Sequence, residues 1–294
     1  MAPELPSLDG IRHSFHDLPT GVRVHVAAAG PEDAPPVLLL HGWPQHFLMW
    51  RGVWPALAGS YRVLMPDLRG HGWSGWPDDG DFRKARLADD AVALLDRLGI
   101  PRAHVIGHDW GGWTALLLGL GHPGRVQTLL AASMLHPWQP RGRALKNIWR
   151  FAYQVPLATP LLGERLVRTN GFITKVIRSG WADKSRWDEA AARSFEEVLR
   201  EPAGARTSHL MYRSFLLHES SAPLRGTFAG KRLEMPARLL IGERDPLGPQ
   251  LAADFERHGA DASHEVVPGA GHFLPEERPE LVSERALALL AAAG

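Results

Sequence analysis

The segment His104-Val105-Ile106-Gly107-His108-Asp109-Trp110-Gly111-Gly112 constrains the fold more than any other stretch of this 294-residue chain. An apolar strand runs straight into a helical stretch through Gly-x-Asp-x-Gly. This is the spacing of a nucleophile elbow, with aspartate where serine usually stands. The flanking glycines suit a sharp turn, because side chains there would collide with neighbouring strands. The helix that follows points its N-terminal N–H groups back at the turn, which favours an ionised carboxylate. Taken alone, the segment fits a plain helix N-cap at Asp109 equally well.

The rest of the chain supplies the context. From Ile11 to about His136, short apolar runs alternate with helical stretches. Gly21 to Val26 alternates like a half-exposed strand, and Pro36-Val37-Leu38-Leu39-Leu40 is continuously apolar, as a buried strand is. Tyr61 to Met65 and His104 to Ile106 read the same way, with helices expected over Arg86 to Leu98 and Trp110 to Leu120. Strands alternating with helices predict βαβ units, an α/β class and a mostly parallel sheet. From Pro137 to about Gly230 strand signals vanish and Arg, Leu, Trp and Phe recur at helical spacing, as in Arg143 to Val155 and Arg186 to Arg200. The βα pattern then resumes: Ala237 to Ile241 as strand, Pro249 to His258 as helix, His264 to Val267 as strand, Pro279 to Ala292 as helix. This predicts a core domain from residues 1–136 and 233–294 and a helical cap from residues 137–232.

Composition narrows the class further. Hydrophobic residues at 45% and charged residues at 22% are ordinary globular usage, which excludes a disordered or collagen-like chain. No apolar run approaches the roughly 18 residues of a membrane span, and Met1 to Gly10 lacks the basic flank and apolar core of a secretory signal. The expectation is a cytoplasmic protein with no membrane partner. The absence of cysteine removes disulfides, thiolate metal sites and cysteine nucleophiles together. The net charge of +1 is too balanced for a general nucleic-acid binder. It hides an asymmetry: Pro137 to Arg232 holds 17 Lys/Arg against 8 Asp/Glu, net +9, and the remainder is net −8. A solvated helical surface, ion-paired to the acidic remainder, accounts for this without a charged ligand. His13, His16, His25, His46 and His71 have no carboxylate cluster at metal-ligand spacing, so no metal is assigned, and no cofactor is expected.

Further motifs surround the elbow. His41-Gly42-Trp43-Pro44 follows the apolar strand Val37 to Leu40. Asp67-Leu68-Arg69-Gly70-His71-Gly72-Trp73-Ser74 is a glycine-rich loop after another strand. Ile241-Gly242-Glu243-Arg244-Asp245-Pro246 puts an acid just past a strand, and Gly269-Ala270-Gly271-His272-Phe273 puts a histidine in the last strand-to-helix loop. The chain order nucleophile, acid, histidine and these motifs resemble the α/β-hydrolase superfamily over nearly the whole length. The resemblance implies an α/β-hydrolase fold with an inserted helical cap. It implies Asp109 as nucleophile, Asp245 and His272 as its partners, and the backbone N–H groups of Trp43 and Trp110 as the oxyanion hole.

An aspartate nucleophile attacks an sp³ carbon and leaves an alkyl ester, which a water activated by His272 must then hydrolyse. Epoxide hydrolases and haloalkane or haloacid dehalogenases both resemble this pattern. A departing halide needs weak N–H donors, whereas an epoxide oxygen leaves as an alkoxide and needs an acidic O–H, a role that suits phenols. Only three tyrosines are present, and Tyr153 and Tyr212 both fall in the expected cap. Tyr153 follows Asp109 by 44 positions and Tyr212 precedes Asp245 by 33, which resembles the epoxide hydrolase layout. The bland reading of each tyrosine is core packing with a satisfied hydroxyl. Trp110 matches a halide-binding tryptophan, but Trp43 stands where a dehalogenase would have Asn, no Arg adjoins Asp109, and no acid ends the strand Val126 to Ser133.

The sequence thus predicts a cofactor-independent epoxide hydrolase that turns a hydrophobic epoxide and water into a vicinal diol. Trp43, Trp110, Trp138 and Trp181 are expected to face the substrate, and the assembly to be a monomer or homodimer. The alternatives are a dehalogenase of the same fold and a non-catalytic ligand-binding member of it.

Overall fold

In the computed structural model, which describes residues 3–223 and 225–293, eight strands form a single sheet. They are β1 (Arg12–Leu18), β2 (Val22–Ala29), β3 (Pro36–Leu40), β4 (Arg62–Pro66), β5 (Ala103–His108), β6 (Val126–Ala132), β7 (Ala237–Gly242) and β8 (Ala262–Val267). Their spatial order is β1-β2-β4-β3-β5-β6-β7-β8. β1 and β2 pair antiparallel, β2 pairs antiparallel with β4, and every pairing from β4 through β8 is parallel.

The central strands carry side chains that need burial on both faces. Val37, Leu38, Leu39 and Leu40 of β3 are at most 1% exposed, as are Val105 and Ile106 of β5 and Leu129 to Ala132 of β6. Removing one such Leu or Val side chain from water contributes about 1.5–3 kcal/mol, so unbroken apolar runs sit best in interior parallel strands. Helices flank the sheet. Helix Lys84–Arg97 buries Leu87, Ala91, Leu94 and Leu95 at helical spacing. Helix Trp110–Gly121 is buried nearly all round, as expected of a helix that is apolar on every face.

Between β6 and β7 the described residues are mainly helical, with principal helices at Phe172–Gly180, Glu189–Arg200 and Pro202–Ser214 and a π-helical turn at Phe215–Glu219. Two expected helices are broken. Arg143 to Val155 divides into helix Arg141–Asn147, a 3-10 turn Ile148–Phe151 and a short helix Gln154–Ala158. Pro156 has no N–H to continue a longer helix. Pro249 to His258 forms two 3-10 turns, because Asp254 lies between them at φ 73 with its carboxylate held by Arg143 at 2.7 Å. Among the described residues no helix is long and apolar enough to cross a membrane. Ion pairs join the basic inserted segment to the acidic remainder, including Arg143–Asp254 and Arg186–Glu280, both at 2.7 Å.

Candidate active site

The residues singled out in sequence lie just beyond the carboxyl ends of four parallel strands. Trp43 follows β3, Asp109 follows β5, Asp245 follows β7 and His272 follows β8. In open α/β sheets this edge is where ligands bind.

The elbow itself is strained. Asp109 has φ 51 and ψ −119, a conformation that side chains rarely adopt, so the surrounding structure must enforce it. Its N–H donates to the Ala132 carbonyl at 3.0 Å and its carbonyl accepts from Trp113 N–H at 2.9 Å. Close packing explains two of the glycines. A Cβ on Gly111 would lie 2.1 Å from the Leu40 carbonyl oxygen, and one on Gly107 would lie 2.3 Å from that of Gly111. Asp109 makes no side-chain cap to its helix, so the plain N-cap reading does not apply.

One carboxylate oxygen is held and the other approached. The Trp43 N–H donates to Asp109 Oδ1 at 3.0 Å. Gly42 leaves room for this, since a Cβ there would stand 2.4 Å from the Asp109 Cβ. Trp110 opens the helix, so its N–H is a first-turn amide without a partner inside the helix. His272 Nε2 is 3.7 Å from Asp109 Oδ2, and its Nδ1 is 3.1 and 3.2 Å from the two Asp245 oxygens.

Burial disfavours an imidazolium at His272, but the Asp245 carboxylate it is hydrogen-bonded to and the nearby Asp109 carboxylate outweigh it and push its pKa up to about 10. Burial would also raise the Asp245 carboxyl. His272 beside it, and the Leu247 N–H at 2.8 Å, hold it below the usual carboxylate range instead. His108 lies under the same loop. Burial pushes its pKa down to about 4, and its Nε2 donates to the His272 carbonyl at 2.9 Å.

Tyr153 and Tyr212 reach the same cavity, of about 270 Å³, as Asp109 and His272. That is near the lower end for small-molecule pockets. Tyr212 is 1% exposed, wedged edge-on against Trp43 at 5.1 Å and Trp110 at 5.7 Å between ring centroids. The Tyr153 ring is 6.1 Å from it. Desolvation and the nearby Asp109 push both phenols up, Tyr153 to about 12, so both stay protonated donors at neutral pH. Tyr153 keeps 43% of its surface exposed, so desolvation acts on the pocket end of its ring.

Three of the expected substrate-facing tryptophans lie elsewhere. Trp138 is stacked flat on His258, with centroids 4.4 Å apart, and donates to the Phe228 carbonyl, so its ring is committed away from Asp109. Trp181 is 4% exposed and packs edge-on against Trp187; its neighbour Gly180 lines the cavity in its place. Trp110 stands behind Tyr212 instead of lining the cavity.

Other residues were missed. Arg150 lines the cavity with its guanidinium on the Pro246 carbonyl at 2.6 Å; its place one helical turn before Tyr153 was the available signal. Glu277 is fully buried and accepts backbone N–H groups of Gly271, Ala182 and Asp183, while the His272 N–H donates to the Gly180 carbonyl. It thereby stitches the histidine loop to the inserted helices. Nothing local in Pro275-Glu276-Glu277 marks it.

Comparison with known proteins bears on the family and the fold. Residues 35–279 match the family described as the alpha/beta hydrolase fold. The chain is 30% identical to the AB hydrolase superfamily protein YfhM of Bacillus subtilis, covering 96% of this chain and 99% of that protein. It is 30% identical to epoxide hydrolase A of Mycobacterium tuberculosis, over 92% and 94% of the two chains. The solved structure of the epoxide hydrolase CorEH superposes with a TM-score of 0.82 at 28% identity, covering 96% of this chain and 99% of that one.

Proposed function

From the premise that the chain belongs to the alpha/beta hydrolase fold family and is an epoxide hydrolase-like member of it, we propose that it opens a hydrophobic epoxide to a vicinal diol through an ester on Asp109. The observation that carries this reading is one cavity lined by Asp109, His272 and the two cap phenols Tyr153 and Tyr212. Residues 137–232 act as the cap of a core made of residues 1–136 and 233–294.

In the first step Asp109 Oδ1 stays on the Trp43 N–H, which leaves Oδ2 to attack a ring carbon. The new carbon–oxygen bond forms as the ring bond breaks. The departing alkoxide takes a proton from Tyr153 or Tyr212, yielding a hydroxy-alkyl ester. The raised phenol pKa values favour this division of labour, because the hydroxyls remain protonated until an alkoxide, a stronger base, develops beside them.

Ester formation removes the Asp109 charge. That charge is part of what keeps His272 protonated, so alkylation itself lowers the His272 pKa and frees it as a base. Oriented by Asp245, His272 takes a proton from a water that attacks the ester carbonyl. The oxyanion that forms would be met by the N–H groups of Trp43 and Trp110. The proton that His272 gives up on alkylation passes through solvent to the phenolate, and the one it takes from water leaves it an imidazolium again, so that collapse releases the diol, restores the carboxylate and returns the starting site.

The test is a panel of styrene oxide, 1-bromobutane and fluoroacetate, scoring diol and halide release. Diol from styrene oxide with no halide from the others supports the epoxide reading. Halide release without diol formation assigns the site to a dehalogenase, and no turnover of any member favours a ligand-binding role.

A further inference from the structure

A lysine with no part in the steps above lies buried behind them. Lys84 opens helix Lys84–Arg97 and is 0% exposed. Its ammonium sits 4.3 Å from the Trp110 ring centroid and 5.3 Å from that of Phe215. Its Nζ donates to the Met211 carbonyl at 2.8 Å. A lysine is almost never fully buried unless it is paired, and a desolvated ammonium over an indole face gains most from the ring's negative charge.

The partners of this ammonium all lead to Tyr212. Met211 is its chain neighbour. Trp110 is the ring against which its edge packs. The Met211 carbonyl also accepts the Phe215 N–H where helix Pro202–Ser214 gives way to the π-helical turn Phe215–Glu219. Such turns often mark functional sites. Glu219, at the far end of that turn, accepts the Lys84 backbone N–H at 2.8 Å and stands 3.5 Å from its Nζ. Lys84 therefore clamps both ends of the turn that follows Tyr212. Burial pulls its pKa down to about 8, against the Glu219 and Asp109 charges that raise it, so the ammonium form prevails at neutral pH.

We propose that Lys84 is a positioning residue for epoxide opening: its buried ammonium, fixed on Trp110 and the Met211 carbonyl, holds the Tyr212 phenol toward the leaving oxygen. The inference rests on the epoxide reading of the site. It assigns Lys84 to ester formation, because ester hydrolysis uses His272 and Asp245, which Lys84 does not touch, and only the backbone N–H of Trp110, whereas Lys84 meets the Trp110 ring.

The experiment measures the two half-reactions separately by rapid-quench single turnover with styrene oxide, in the parent, Lys84→Met and Lys84→Gln. Met keeps the packing volume and removes both charge and donor; Gln keeps a donor for the Met211 carbonyl without the charge. Ester formation should slow by roughly tenfold or more in the Met variant and by less in the Gln variant. Ester hydrolysis should stay within about twofold of the parent in both. Where Lys84→Met does not fold, the Gln variant alone decides, by a slowed first step with the second unchanged. Equal slowing of both steps, or unchanged ester formation, overturns the assignment. A parent that forms no ester defeats the underlying reading of the site instead, so the two failures are distinguishable.

Discussion

His272 Nε2 stands 3.7 Å from Asp109 Oδ2, while Asp109 Oδ1 is engaged by the Trp43 N–H at 3.0 Å. The two oxygens of one carboxylate thus face different partners. The histidine is close enough to share its charge with the carboxylate and has Asp245 behind it to fix its ring.

The two half-reactions should differ in pH dependence. With Asp109 ionised, the His272 pKa is raised to about 10, so the imidazolium form is present below that value and is lost as pH rises through it. Ester formation should therefore vary little from about pH 7 to 9. Hydrolysis needs neutral His272 in an enzyme whose Asp109 charge is gone, so its rate should climb with pH and level off well below pH 10. Single-turnover rates across this range check it; a hydrolysis rate still rising at pH 10 would show that alkylation leaves the His272 pKa unchanged.

Tyr153→Phe and Tyr212→Phe should each lower the rate of ester formation roughly 10- to 1,000-fold, since one phenol remains to donate. The double variant should be nearly inactive on epoxides. Turnover by the double variant close to the parental rate would remove the phenols from the mechanism.

Gly42→Ala should damage the site far more than its size suggests. Its Cβ would fall 2.4 Å from the Asp109 Cβ and 2.7 Å from Oδ1, whereas a Cβ on Gly59 meets nothing within 4 Å. Displacing the carboxylate by even about 1 Å costs on the order of 100-fold in rate. The expected result is a kcat/KM reduced by that factor in Gly42→Ala and unchanged in Gly59→Ala. Equal activities would mean that the loop yields without moving Asp109.

The protein should lose stability steeply in mild acid. Burial pushes His41 down to about 3 and His46, His71, His104, His108 and His136 down to about 4, against 6.5 for an ordinary histidine. The unfolded chain takes up protons near 6.5 that the folded chain refuses. Stability is therefore full above 6.5 and falls with pH below it, by up to about 1.4 kcal/mol per unit for each histidine. The urea midpoint should drop sharply between about pH 7 and 5; a flat midpoint across that range would contradict the neutral burial of these rings.

Much of this architecture was legible in sequence because burial on both faces leaves unbroken apolar runs. β3, β4, β5 and β7 were found this way, each within a few residues. β1 was not recognised: Arg-His-Ser-Phe-His-Asp-Leu is half-exposed and polar, and only its antiparallel pairing with β2 makes it a strand. The elbow was readable because the sharp turn at Asp109 and the close backbone approach at Gly107 and Gly111 leave a short Gly-x-Asp-x-Gly signature. Trp138 and Trp181 misled because a tryptophan's spacing does not say which way its ring packs. Lys84, Arg150 and Glu277 act through partners 95 to 135 positions away, and such long-range contacts leave no local pattern.

The central claim is a covalent ester on Asp109, and trapping it is the most direct test. His272→Gln should leave attack by Asp109 intact and block hydrolysis of the product. Intact-mass measurement of this variant after incubation with styrene oxide should show the protein plus one substrate, and peptide mapping should localise the added mass to Asp109. An unmodified Asp109 peptide under saturating epoxide, in a variant that is folded, would contradict the account.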